Sequence, residues 1–204
     1  MFNPGFNLSS SLFLAIGVLL LVACNPSQGG NVEGSSSFVG TDITGADFPN
    51  PLTLTDHTGQ LRTMSDFAGK AVILFFGFTH CPDVCPTTML DLKNTMKLLG
   101  DKADEVQVLF VTVDPQRDSQ EVLAQFVPSF DERFIGLRGS LQETAETLGN
   151  FKIYFLKVPG KSKEDYTIDH SAGMYAFDKQ GKIRLYLGYG QKPADLASDI
   201  SKLL

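Results

Sequence analysis

The chain has 204 residues, a formal net charge of −6 and a hydrophobic fraction of 43%. This length allows one domain with its own apolar core plus short appendages. The acidic balance argues against nucleic acid as a partner, because phosphate binding requires clustered Lys and Arg side chains.

The N-terminal segment has the features of an export signal. Residues 12–23 are almost wholly apolar, and this run is shorter than the roughly 20 residues that cross a bilayer. Residues 21–24 read LVAC, which resembles the lipobox of bacterial lipoproteins. We therefore predict a lipoprotein signal peptide over residues 1–23 and lipidation of Cys24, which would hold an extracytoplasmic domain at the cell membrane or its periplasmic face. The absence of Lys and Arg before the apolar run departs from that pattern. The alternative is an uncleaved short anchor, with Cys24 an incidental residue near the membrane.

The next segment separates this signal from the folded domain. Residues 24–46 are rich in Gly and Ser and poor in large apolar side chains, which predicts a flexible tether. The folded domain is predicted to occupy residues 47–204. Its only thiols are those of Cys81 and Cys85, and outside the cytoplasm such a pair can oxidise.

Strands and helices are predicted to alternate along the domain. Apolar and alternating runs predict most strands, and the hairpin signal at residues 56–59 predicts the first two. The predicted strands lie at residues 52–54, 60–62, 71–76, 106–113, 134–137, 153–158, 174–177 and 183–187. Helical spacing and capping signals predict the helices, at residues 86–99, 118–127, 140–148 and 193–204. Turn signals join the first two strands, and also the last two, as hairpins. The pattern predicts an α/β fold with a central mixed β-sheet flanked by helices and an N-terminal β-hairpin.

Cys81 and Cys85 follow the first buried strand, where open α/β sheets place their functional sites. If residues 81–85 form one helical turn, both thiols lie on the same face, within the span of a disulfide. The N-terminus of a helix also stabilises a thiolate. This arrangement suits thiol–disulfide exchange and the binding of a soft metal equally, and a simple stabilising disulfide is the structural alternative.

An imidazole from His170 would add a nitrogen ligand to the two sulfurs, provided that it folds back to them; alone, it would more often be a capping or core histidine. Structural zinc normally takes four ligands, and no obvious fourth is present unless His80 or Asp83 turns inward. The soft ligands and their number favour copper, as Cu(I) or as Cu(II) with a further donor.

Two aspartates follow the strand at residues 106–113. Asp114 ends that strand beside the cysteine strand, so it is a candidate acceptor that orients a metal ligand, although solvation of a loop is an equal alternative. Asp118 is predicted to cap the helix that comes next. Asp83 and His80 are the other candidates for such supporting roles.

Three sequence blocks closely resemble the SCO/SenC family of copper proteins for cytochrome oxidase assembly. They are residues 76–86 (FGFTHCPDVCP), residues 113–118 (VDPQRD) and residues 169–171 (DHS), and they occur in the family's order. The resemblance runs from about Phe48 to the C-terminus. It implies a thioredoxin-like fold and one copper ion bound by Cys81, Cys85 and His170.

The resemblance leaves two functions open. One is a copper metallochaperone that delivers copper to the binuclear copper-A site of cytochrome c oxidase subunit II. The other is a thiol–disulfide oxidoreductase that reduces the cysteines of that site or of another extracytoplasmic protein, which would not require His170. Other periplasmic copper chaperones and thioredoxin-like reductants are further candidate partners. A peroxidase is less favoured, because peroxiredoxins place Thr or Ser where this chain has Phe78.

Overall fold

The computed structural model describes residues 38–48, 52–161 and 165–204. The predicted signal peptide, Cys24 and the predicted tether up to residue 37 lie outside these ranges. Within them, no helix has the length and apolar character needed to cross a bilayer.

The elements of the described chain alternate as the apolar runs predict. The strands are β1 (Thr41–Asp42), β2 (Thr53–Asp56), β3 (Leu61–Thr63), β4 (Ala71–Gly77), β5 (Val106–Thr112), β6 (Ile135–Arg138), β7 (Phe155–Pro159), β8 (Tyr166–His170), β9 (Met174–Phe177) and β10 (Ile183–Leu187). The helices are α1 (Val84–Leu99), α2 (Gln120–Phe126), α3 (Leu141–Asn150) and α4 (Pro193–Ser201), with short 3-10 turns at Met64–Phe67 and Gly100–Glu105. One eight-stranded sheet has the order β1-β10-β9-β4-β5-β6-β2-β3, and β7 pairs with β8 in a separate two-stranded sheet.

The central strands β4 and β5 are buried at every position, and they are apolar except for Gln107 and Thr112 of β5. They pair in parallel, from Ala71 opposite Val106 to Gly77 opposite Thr112. Strand β6 extends this parallel set, whereas β9 runs antiparallel to β4. Because parallel strands end at the same edge of a sheet, the segments that follow β4 and β5 lie side by side. These segments carry the cysteines and the two predicted aspartates.

Helical segments cover both faces of the sheet. On one face, Gly77 of β4 lies against Cys85 of α1. On the other face, the ring of Phe76 packs 5.4 Å from that of Phe151, the residue that follows α3. Neighbouring residues of a strand point to opposite faces, so the two contacts mark two separate layers. The predicted mixed sheet with flanking helices and the N-terminal hairpin, formed by β2 and β3, are confirmed.

The segment before residue 47 differs from the prediction of a tether. Thr41 of β1 pairs with Tyr186 of β10 at the edge of the sheet. The backbone N–H groups of Val39 and Gly40 donate to the buried carboxylate of Asp199 at 2.9 and 2.7 Å. The folded part of the chain therefore begins before residue 47, because a paired strand and a buried acceptor fix residues 39–42.

The structure differs from the sequence analysis in two further details. The cap of α2 is Ser119, whose side chain accepts a hydrogen bond from the N–H of Val122, while Asp118 turns inward to other partners. Strand β8 was not predicted, because among its residues only Ile168 is buried. It pairs with β7 and places Phe155 opposite His170.

Candidate metal centre

The two cysteines lie where β4 passes into α1. Cys81 is half-buried in the connecting loop, and Cys85 is fully buried in the first turn of the helix. Both are free thiols. The backbone N–H of Cys85 donates to Sγ of Cys81 at 3.4 Å. Residues 81–83 precede α1, so the pair does not share one helical turn as the sequence suggested, but the four-residue spacing still brings the two residues together.

Gly77 makes room for the buried thiol. A Cβ added at this position would lie 2.8 Å from Cε2 of Phe110 and 3.0 Å from Sγ of Cys85. Both distances are shorter than ordinary van der Waals contact, so a side chain here would displace the sulfur or the ring. Glycine thus serves the close approach of strand and helix at the site.

Burial controls the protonation state of Cys85. It raises the pKa of this thiol far above its usual value, and the neighbouring Cys81 and Asp118 act in the same direction, while a hydrogen bond from the backbone of Phe78 opposes them. The expectation that the helix N-terminus favours a thiolate therefore fails for Cys85, because loss of solvation outweighs the helix dipole. The metal-free site holds this sulfur as a neutral S–H group.

His170, the last residue of β8, faces the buried thiol. Its Nε2 lies 3.7 Å from Sγ of Cys85, and its Nδ1 lies 2.9 Å from the carbonyl oxygen of Ser171. A carbonyl oxygen only accepts, so Nδ1 carries the proton and Nε2 turns its lone pair toward the sulfur. Burial lowers the pKa of the imidazole, which favours this neutral form.

The separation of these two atoms fits a shared metal ion. Metal–sulfur and metal–nitrogen bonds of about 2.3 and 2.0 Å at a trigonal angle separate the two ligand atoms by roughly 3.7 Å. Among the residues that the structure describes, however, no three His, Cys, Asp or Glu side chains already converge as a complete metal site. Cys85 contacts both other candidates, and Cys81 would have to turn inward to complete the set.

Phe78 borders the site on the histidine side. Its ring is 1% exposed and meets the His170 imidazole edge-on, with 5.9 Å between ring centroids. A buried aromatic ring at this position excludes water from one side of the imidazole, which helps to keep it neutral.

Asp114 is buried but does not bond to a candidate ligand. Its carboxylate accepts hydrogen bonds from Nε of Arg117 at 2.5 Å and from the hydroxyl of Tyr166 at 2.8 Å. The backbone carbonyl of Ser171 takes the orienting position on His170 instead. Asp114 therefore acts on the strand that carries the histidine rather than on its ring.

His80 and Asp83, the other candidate supporting residues, have contacts away from the thiols. The side chain of His80 is 52% exposed, and its Nδ1 lies 3.1 Å from the Thr79 hydroxyl and 3.7 Å from Asp118. Asp83 is exposed and accepts a hydrogen bond from the Thr87 hydroxyl at 3.3 Å. Neither arrangement supplies a fourth ligand.

Asp118 has a supporting role that the sequence did not reveal. Its fully buried carboxylate accepts from the N–H of Thr79 at 3.0 Å and from the hydroxyls of Thr79 and Thr112, each at 2.6 Å. The residue thus ties the start of the cysteine loop to the end of β5. The sequence pattern at residues 118–121 is also compatible with Asp118 as a helix cap. Only the folded structure distinguishes that role from the role of a buried acceptor.

Known proteins are similar to this chain in sequence and in fold. The SCO1/SenC family model matches residues 40–204. The chain belongs to the SCO1/SenC family. It is 36% identical to the mouse mitochondrial protein SCO2 homolog over 153 residues, which are 74% of this chain and 60% of that protein. The match covers between about half and two thirds of the length of the curated relatives.

Solved structures of the family confirm the thioredoxin-like fold. Bradyrhizobium japonicum ScoI with copper bound aligns with a TM-score of 0.71 at 36% identity, covering 76% of this chain and 98% of ScoI. Yeast Sco1 with copper bound aligns with a TM-score of 0.70 at 31% identity, covering 77% of this chain and 88% of the yeast chain.

Proposed function

We propose that this protein is a copper metallochaperone, which binds copper through Cys81, Cys85 and His170 and delivers it to the copper-A site of cytochrome c oxidase subunit II. The observation that carries the proposal is the 3.7 Å approach of His170 Nε2 to the Cys85 sulfur, beside Cys81. Two sulfurs and one imidazole nitrogen suit a soft ion. Bradyrhizobium japonicum ScoI and yeast Sco1, which share the fold, were both solved with copper bound.

The ligands differ in access, and this difference suggests an order of transfer. Cys81 is half-buried at the surface, whereas Cys85 is fully buried. Cys81 is therefore the ligand that a partner's thiolate reaches first. Three ligands leave copper with an open coordination position, so a partner's ligand can bind before Cys81 dissociates. Cys85 and His170 hold the ion during that exchange.

Transfer to an oxidase fragment tests this function. The copper-loaded protein, mixed with the metal-free copper-A domain of a subunit II, should produce the visible absorption of the copper-A centre. His170→Ala should lose most of this transfer, because copper is then held by sulfur alone. His80→Ala serves as the matched control, because His80 is exposed and contacts other residues, and it should transfer copper normally. Equal transfer by the wild type and His170→Ala would reject the proposed site.

The cysteine geometry also supports a second function, reduction of a partner's disulfide. The thiolate of the accessible Cys81 would attack the partner disulfide and displace one partner thiolate, forming a mixed disulfide. The displaced partner thiolate would then take the proton of Cys85, whose sulfur would attack Sγ of Cys81. This step releases the second partner thiolate and leaves an intramolecular disulfide. This reaction does not use His170. A His170→Ala variant that still reduces the partner but no longer transfers copper would assign the two activities separately.

We propose further that Cys24 carries a lipid that holds the domain at the cell membrane or its periplasmic face. The proposal is supported by the LVAC pattern at residues 21–24. Cys24→Ser should move the protein from the membrane fraction to the soluble fraction of fractionated cells. Retention of this variant in the membrane fraction would favour an uncleaved N-terminal anchor instead.

A further inference from the structure

The candidate ligand His170 is carried by a hairpin outside the central sheet. Strands β7 and β8 pair only with each other in the described part of the chain. Backbone pairing with the main sheet begins only at Met174 of β9, four residues after the histidine. Side-chain contacts therefore help to fix β8, and one cluster joins the first residue of β8 to the loop after β5. It consists of Asp114 and Arg117 from the loop and Tyr166 from the hairpin.

Hydrogen bonds close this cluster into a ring. The Tyr166 hydroxyl lies 2.8 and 3.1 Å from the two carboxylate oxygens of Asp114. Nε of Arg117 donates to Asp114 at 2.5 Å, and Nη1 donates to the backbone carbonyl of Tyr166 at 2.8 Å. Both the side chain and the backbone of Tyr166 are therefore bound to the loop, through a buried acceptor and a cation.

Two cationic groups also hold the Tyr166 ring. Cζ of Arg117 lies 3.5 Å and Nζ of Lys157 lies 3.4 Å from the ring centroid. Two cations at such distances cannot share one face of a ring, so the ring lies between them. Nη2 of Arg117 is buried without a hydrogen-bond partner, so the stacking compensates part of its charge.

The cluster reaches His170 by two routes. Tyr166 and His170 are the first and last residues of β8, and residues four apart on a strand point to the same face. Tyr166 therefore fixes the strand on the side that His170 presents to the thiols. The guanidinium of Arg117 also lies 5.9 Å from the centroid of the Phe78 ring, and that ring packs edge-on against His170.

We propose that Tyr166, held by Asp114 and Arg117, is a positioning residue that keeps His170 within ligating distance of the thiol pair. The proposal rests on the proposed function, because it assumes that His170 binds copper. Tyr166 does not touch the thiols. It acts by limiting the movement of β8, so that the nitrogen ligand is in place before copper arrives.

The variant Tyr166→Phe removes only the hydroxyl that binds Asp114. Its Cu(I) affinity, measured anaerobically by competition with a chromophoric chelator, should fall by roughly tenfold, the scale expected for one hydrogen bond to a charged acceptor. Tyr154→Phe is the matched control, because it removes the same atom from an exposed ring just before β7. It should bind Cu(I) like the wild type.

Introducing Tyr166→Phe into a His170→Ala background distinguishes a loss of His170 positioning from a general destabilisation of the site. If Tyr166 acts through His170, it should cause no further loss of affinity once the imidazole is absent. A wild-type affinity for Tyr166→Phe, or the same loss in both backgrounds, would overturn the proposal. Asp114→Asn, checked for folding by circular dichroism, should repeat the pattern of Tyr166→Phe. If instead His170→Ala alone binds like the wild type, the proposed ligand set fails, which is a distinguishable result.

Discussion

Burial acts on the two innermost candidate ligands in opposite directions. It raises the pKa of the Cys85 thiol and lowers the pKa of the His170 imidazole. In both cases the neutral form is favoured, because an uncharged group loses less solvation on burial. The metal-free site therefore pairs an S–H donor with an imidazole lone pair. Copper has to displace the thiol proton, but it meets a nitrogen that is ready to bind.

Copper binding is consequently expected to release protons at neutral pH. Cys85 is a neutral thiol before copper binds and a thiolate ligand afterwards. The copper affinity should therefore rise as the pH rises. Above about pH 6.5, the ordinary pKa of histidine, protons should compete little with copper for His170, because burial lowers the pKa of this imidazole. Calorimetric titration with Cu(I) in two buffers of different ionisation enthalpy should detect at least one proton released per ion. Binding without proton release would show that Cys85 is already ionised.

Residue chemistry explains which parts of the site were predictable. Cys81, Cys85 and His170 stand out in the sequence because few side chains bind soft metals. Asp118 does not, because its partners Thr79 and Thr112 are remote or unremarkable in sequence and meet it only in the fold. The same pattern of residues also fits a helix cap, and here the local signal was misleading because Ser119 took that role.

At the scale of elements, strands with many buried apolar residues could be predicted from the sequence, whereas a mostly exposed strand could not. Strands β4 and β5 are mostly apolar and buried on both faces, so their positions were predicted closely. Strand β8 is mostly polar, and only Ile168 is buried. The element that carries His170 was therefore missed, although the histidine itself was named as a candidate ligand. Side chains rather than sheet pairing hold this element, and such contacts leave no periodic signal.

The loop between β4 and α1 should depend strongly on Asp118. Asp118→Ala would leave the N–H of Thr79 and the hydroxyl of Thr112 without their buried acceptor. We expect a loss of about 2–4 kcal/mol in the free energy of unfolding, measured by urea denaturation. Asp101→Ala, at an exposed position, should change the same quantity by less than about 0.5 kcal/mol. A similarly small effect of Asp118→Ala would mean that water replaces the carboxylate.

At the scale of the whole molecule, the described chain forms an eight-stranded sheet and a separate β7–β8 hairpin, and both contribute residues to the candidate site. The N-terminal strand β1 lies at one edge, beside β10, and Asp199 of α4 fixes the two residues before it. The site follows β4, in the middle of the strand order. The attachment of the N-terminal segment and the candidate metal site are therefore separate features of the fold.

X-ray absorption at the copper edge of the Cu(I)-loaded protein tests the central claim most directly. The account predicts a first coordination shell of two sulfurs and one imidazole nitrogen in the wild type and in His80→Ala. The nitrogen should disappear in His170→Ala. A wild-type spectrum with sulfur ligands only, or identical spectra for the wild type and His170→Ala, would contradict the three-residue copper site.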